Sequence, residues 1–142
     1  MTEIKDSYFP SSSGDNQIFL RQWLPEAAPR AVLQLSHGVD EHILRYDAFA
    51  RFLNDQGILV VGNDHLGHGR SVREEGDFLW FSERDGWRHA VDDLHQVYLQ
   101  TRAAYPDKPY FLMGHSMGSF LARTYLIRYP GGLSGAILSG TN

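Results

Sequence analysis

The sequence predicts an α/β fold, a mostly parallel sheet with helices on both faces, and three observations carry that prediction. From residue 31 onward, short apolar runs alternate with stretches of helical periodicity, ending on a fourth apolar run. That order builds a parallel sheet covered by helices. The runs "ILVVGN" (58–63) and "YFLMG" (110–114) are continuously apolar, as strands buried on both faces are. Each helical stretch ends at a breaker: Gly57, Pro106, and Pro130 with Gly131 and Gly132.

The elements follow in order. "EIKDSYF" and "NQIFLRQW" flank the turn-forming "SSSGDN" (11–16) and read as an N-terminal hairpin, with Pro25 and Pro29 marking its exit. "AVLQLS" (31–36) is a buried strand that runs into His37-Gly38. Between Leu44 and Gln56, Tyr46, Phe49, Ala50 and Leu53 recur at helical spacing. The strand at 58–63 leads into a glycine-rich loop, "DHLGHGRS" (64–71). A second helix is expected from Ser82 to Tyr105, with Trp87, Val91, Leu94 and Tyr98 on one face. The strand at 110–114 meets a third helix, Ser116 to Tyr129, whose expected inward residues are Phe120, Leu121, Thr124 and Ile127. "GAILSG" (135–140) is the last strand, expected to be an exposed edge or to lack its covering helix. Trp23, Trp80 and Trp87 read as packing or ligand-facing apolar surface, with the core favoured for each.

Composition narrows the function. The 142 residues make one domain with material for a real core. A net charge of -4 gives no reason to expect nucleic acid as a partner. With no cysteine, disulfides, thiolate nucleophiles and Cys-based metal sites are excluded. The N-terminal "MTEIKDSYFP" lacks the apolar stretch of a signal peptide, and no run is long enough to span a membrane. A cytoplasmic location is the default expectation.

Gly114-His115-Ser116-Met117-Gly118 fits G-x-S-x-G. A sharp strand-to-helix turn forces the serine into a strained backbone geometry, and glycines on either side keep it from colliding with neighbouring elements. The turn exposes Oγ at a helix N-terminus, where N–H groups favour developing negative charge. Composition alone gives such a pattern a roughly one in ten chance of occurring in this length. Its place between an apolar strand and an amphipathic helix makes it far more specific. The competing reading is a serine that N-caps a helix through its side chain. The Met117 N–H is one expected oxyanion donor, and the Val39 N–H in "SHGVDEH" (36–42) is the second, with Gly38 allowing close backbone approach. His65 and His68 lie three apart beside Asp64, but in a loop too glycine-rich to align both imidazoles, so no metal site is assigned. Asp64 is expected to hydrogen-bond nearby loop backbone.

The motifs "SHGVDEHILRYDAFARFL", "VVGNDHLGHGRS", "FLMGHSMGSFLARTYLIRYP" and "GAILSG" resemble the α/β-hydrolase fold, specifically the N-terminal half of the monoacylglycerol lipase and lysophospholipase group. The resemblance implies Ser116 as nucleophile, with Val39 and Met117 as the oxyanion hole. His37, Gly38, Gly114, His115 and Gly118 support the loop and the elbow. It implies an acyl ester such as a monoglyceride or lysophospholipid as substrate, with no metal or organic cofactor, and leaves room for peripheral membrane contact. Ser119 stands where the group more often has glycine.

In this fold the triad runs Ser, then Asp or Glu, then His. After Ser116 the chain contains no Asp, Glu or His. Residues 1–142 are therefore expected to be the N-terminal part of one α/β-hydrolase domain, ending at the strand that the resemblance places before a helical cap over the acyl chain. Alone it is expected to be inactive, with the missing C-terminal half as its partner. Two alternatives remain: an inactive fragment acting as a binding or interaction module, and a serine aminopeptidase-type hydrolase.

Overall fold

The computed structural model describes residues 1–142. One six-stranded sheet, β1 (Glu3–Pro10), β2 (Gln17–Leu24), β3 (Ala31–Ser36), β4 (Ile58–Asn63), β5 (Tyr110–His115) and β6 (Gly135–Ser139), carries three helices. These are α1 (Asp47–Asp55), α2 (Gly86–Ala104) and α3 (Met117–Arg128). The strand order is β1-β2-β4-β3-β5-β6. β3, β4, β5 and β6 run parallel, while the β1–β2 hairpin joins antiparallel to β4. The predicted α/β architecture holds, hairpin included.

Alternation along the strands splits the core into two layers. Phe19, Leu33, Leu35 and Val60 face α1 and pack with Ala50, Ile43 and Trp23. Ile18, Val32, Leu59 and Val61 face the other way, under Val97 of α2. Leu112 meets Val91 and Leu94 of α2 and Leu121, Ala122 and Tyr125 of α3. Two polar hubs sit within these layers. Gln34 donates to Leu94 O at 2.9 Å and accepts from the Tyr110 hydroxyl, so both its polar ends are satisfied in the core. Asp93 accepts from Ser11 Oγ (2.7 Å) and Ser12 N–H (2.8 Å), tying the hairpin turn to α2.

The structure moves four expectations. The second helix begins at Gly86 rather than Ser82. Ser82 Oγ bonds Arg84 O at 2.6 Å and Asp85 is left-handed (φ 52°), which holds the chain in a turn. The first helix opens as a 3-10 turn over Ile43–Tyr46 before α1 proper. Trp23 is core, but Trp80 and Trp87 are exposed, the latter donating to Thr124 Oγ1 at 3.0 Å. On α3 the inward residues are Gly118, Ser119, Leu121, Ala122 and Tyr125, while Phe120 and Ile127 point outward. The cause is Gly118, whose lack of a side chain lets the helix press on the Ser36 and His37 carbonyls. That contact fixes the helix rotation, so residues at 118, 122 and 125 turn inward.

β6 is the sheet edge, as expected, and Ala136, Ile137 and Leu138 are all exposed. Ile137 also lines an apolar groove beside α1 with Ala31, Leu33, Phe49, Leu53, Ile58, Phe111 and Met113.

Candidate active site

β5 delivers the chain to Ser116, and α3 starts at the next residue. Ser116 has φ 54° and ψ −123°, a region that L-residues adopt only when their surroundings hold them there. Three contacts do so. Ser116 N–H donates to Ser139 O at 2.8 Å, and Ser116 O accepts from Ser119 N–H (2.8 Å) and Ser119 Oγ (2.6 Å). Ser119, where glycine would remove the hydroxyl, thus reinforces the turn. The Ser116 side chain makes no capping bond, which removes the N-cap reading.

The two glycines of the motif are required by backbone contacts. A Cβ at Gly114 would meet Gly118 C and Ser119 Cα, both at 2.7 Å. At Gly118 it would lie 2.5 Å from His37 O and closer still to Ser36 O. His115 turns aside to bond Ser139 Oγ through Nδ1 at 3.1 Å. Met117 and Gly118 open α3, so their N–H groups have no carbonyl one turn back to bond.

The loop after β3 lies against this turn. A Cβ at Gly38 would be 3.2 Å from Ser116 Cβ and 3.3 Å from His115 O. Glu41 Oε2 accepts the Gly38 N–H at 2.9 Å, and Asp40 is left-handed (φ 55°). With Gly38 N–H committed to Glu41, Val39 carries the next amide of the loop. His37 is fully buried and lies beneath. Its Nδ1 bonds Gly38 O at 2.7 Å, and its Nε2 accepts His65 N–H at 3.0 Å. Burial lowers the His37 pKa to about 3 and holds His65 well below the ordinary imidazole value, so both rings are neutral at pH 7. Asp64, as expected, serves backbone: it accepts Ile43 N–H (2.7 Å) and Arg70 N–H (2.8 Å), and burial raises its pKa.

Asp64 Oδ1 lies 4.0 Å from His37 Nε2. It does not make His37 a base, because both ring nitrogens are engaged and the side chain is sealed from solvent. Of the residues singled out in the sequence, Ser116, Met117, Gly114, His115, Gly118, His37, Gly38 and Val39 converge at the carboxyl ends of β3 and β5. His65 and His68 stand behind the loop, packed on His37 with ring centroids 4.2 and 5.2 Å away. Two participants escaped notice. Glu41 was legible as an acidic side chain three residues past a loop glycine. Ser139 was not, since its role follows from β5–β6 register.

A family model described as serine aminopeptidase, S33, matches residues 27–142. The chain belongs to that family. As a serine aminopeptidase S33 member it is an α/β-hydrolase, similar to the monoacylglycerol lipase group. It is 38% identical over 121 residues to monoglyceride lipase of Rattus norvegicus, covering 85% of this chain and 38% of the relative. A monoacylglycerol lipase of Mycolicibacterium smegmatis is 35% identical over 127 residues, covering 89% of this chain and 43% of the relative. Among solved structures, a thermostable carboxyl esterase from Bacillus coagulans in complex with glycerol superposes with a TM-score of 0.92. Its identity is 33%, and the match covers 100% of this chain and 46% of the esterase. The chain thus spans under half the length of these relatives. No helix is long and apolar enough to cross a membrane.

Proposed function

We propose that this chain carries the nucleophile and oxyanion portion of a serine hydrolase for carboxylic esters of the monoacylglycerol or lysophospholipid class. The observation that carries the reading is the strained Ser116, held without a side-chain cap at the start of α3. Ser116 Oγ attacks the ester carbonyl and passes its proton to a base. The carbonyl oxygen becomes an oxyanion received by the Met117 and Val39 N–H groups. Collapse expels the alcohol, which takes the proton, and leaves an acyl-Ser116. Water then attacks the acyl-enzyme and releases the fatty acid. His37, Gly38, Gly114, His115 and Gly118 hold the two donors and the nucleophile in register.

The histidine hydrogen bonds lead away from Ser116, and no acid or imidazole follows it in sequence. The Asp and His of the triad therefore come from a segment outside these residues, and 1–142 is one part of a single α/β-hydrolase domain. Carboxyl esterase and lipase relatives support ester chemistry over peptide chemistry despite the family's name. The test joins residues 1–142 to the C-terminal portion of the Bacillus coagulans esterase and assays monoacylglycerol, lysophospholipid and aminoacyl amide cleavage. Ester hydrolysis that disappears in Ser116→Ala supports the reading, and amide cleavage alone overturns it. The exposed β6 favours a second reading, an interaction module, which gains if the joined protein folds but stays inert.

A further inference from the structure

Three neighbouring strands, in the order β4, β3, β5, end beside the nucleophile turn. β5 leads to Ser116, β3 to His37 and Gly38, and β4 to Asp64 and His65. His65 thus stands across the β3 loop from Ser116. It is 1% exposed, so its hydrogen bonds are set inside the core rather than at a surface that further chain could cover. On its other flank the loop meets the nucleophile turn, where a Cβ at Gly38 would fall 3.2 Å from Ser116 Cβ.

The bonds of His65 dictate two tautomers. Burial keeps both rings neutral. His65 N–H donates to His37 Nε2 at 3.0 Å, which leaves that nitrogen bare and puts the single ring proton of His37 on Nδ1. Asp64 Oδ1, 4.0 Å from the same Nε2, is too far to compete. His37 Nδ1 then donates to Gly38 O at 2.7 Å. The His65 ring acts one peptide earlier. Its Nε2 faces His37 O at 3.0 Å, an acceptor only, and so carries the proton, with Ser36 Oγ at 3.2 Å. Both carbonyls that precede the Val39 amide are thus held by imidazoles. The Gly38–Val39 peptide is trans, and in a trans peptide C=O and N–H point opposite ways. Holding Gly38 O on the buried His37 ring therefore turns the Val39 N–H away from that ring.

We infer that His65 is a positioning residue for the oxyanion hole, setting the direction of the Val39 N–H through His37. The inference rests on the reading of Val39 as an oxyanion donor. His65 hydrogen-bonds the β3 loop and not Ser116, so its effect passes through backbone. A side chain that only filled this space would be better as leucine, because an imidazole loses its hydration on burial.

Two substitutions that keep the backbone N–H test the ring. His65→Leu removes the donor, and His65→Gln carries an amide N–H that reaches His37 O as Nε2–H does. In the full chain, the N–H residual dipolar coupling of Val39, measured by NMR, reads the direction of that bond. It is expected to change in His65→Leu and to return in His65→Gln, with couplings along β4 and β5 unaltered. A Val39 coupling that His65→Leu leaves in place overturns the inference, as does one that His65→Gln fails to restore. If His65→Leu does not fold, His65→Asn takes its place, since its shorter amide falls short of His37 O. In residues 1–142 joined to the esterase C-terminal portion, p-nitrophenyl butyrate is the probe. His65→Leu should lower kcat about 10-fold or more with KM unchanged, part of the about 10²–10³-fold lost when an oxyanion donor is removed outright. His65→Gln should recover most of it, and an unchanged kcat in His65→Leu overturns the inference. An inert parent would instead fail the proposed reaction, and the dipolar coupling would still decide whether His65 orients the Val39 N–H.

Discussion

Gly118→Ala sets two physical effects against each other, and the sign of the result decides between them. On local propensity, alanine in a helix is favoured over glycine by up to about 1 kcal/mol. Packing opposes this strongly. The new methyl would sit 2.5 Å from His37 O and 2.5 Å from Ser36 C, both backbone atoms that cannot rotate away. Ordinary van der Waals contact begins at 3.4 Å and Ser36 O lies nearer still, so α3 must withdraw from β3 by more than about 1 Å. Overpacking of this kind costs 1–3 kcal/mol in compliant sites and more against rigid backbone. We expect a net loss of about 3 kcal/mol, which for a domain of this size is a fall in Tm of about 6–12 °C. Thermal and urea unfolding monitored by circular dichroism measure it. Gly76→Ala, with nothing within 4 Å of the added Cβ, serves as control and should change stability by under about 0.5 kcal/mol. If Gly118→Ala is as stable as the parent, α3 is not seated on the Ser36–His37 backbone, and the elbow geometry argued above is wrong.

Three further outcomes follow from the same structure. Ser116→Gly should be more stable than Ser116→Ala by about 1 kcal/mol in urea unfolding, because glycine relieves the φ 54° strain; equal stabilities would mean that no strain is stored there. Acid should destabilise the fold. His37, lowered to about 3, and His65, also lowered, stay neutral when folded but protonate below about 6.5 when unfolded, so stability falls as pH drops through that value. Asp93, raised to about 6 by burial, works in the opposite sense, since the folded form takes up its proton first. Asp64, also raised by burial, acts in the same sense as Asp93. The two histidines are expected to outweigh both, so that stability falls between pH 7 and pH 5; a rise in the urea midpoint over that range would contradict neutral buried rings. Finally, Ile137→Lys should reduce concentration-dependent association in analytical ultracentrifugation. Its side chain lies on the open edge strand and lines the apolar groove beside α1.

The strands were legible to within a residue or two because their apolar runs are short, continuous and bounded by breakers. "AVLQLS" and "ILVVGN" coincide with β3 and β4. The nucleophile turn was legible because its glycines are demanded by backbone contacts and so leave a fixed spacing. Helix rotation was not legible in α3, since apolar residues occur all round it and only the Gly118 contact sets which face turns in. The start of α2 was missed because Ser82–Asp85 has helical composition but a left-handed Asp85. Trp80 was misassigned because hydrophobicity alone does not separate core from apolar surface. Contacts set by pairing across the sheet, such as Ser116 to Ser139, leave no local trace.

Ser116 is proposed as a nucleophile whose base lies outside these residues. Its most direct test is intact mass after incubation with a fluorophosphonate, comparing residues 1–142 alone with the same residues joined to the esterase C-terminal portion. A single adduct on Ser116 is expected in the joined protein, absent in Ser116→Ala, with negligible labelling of the chain alone. Rapid stoichiometric labelling of Ser116 in the isolated chain would contradict it, because the base would then have to lie within residues 1–142.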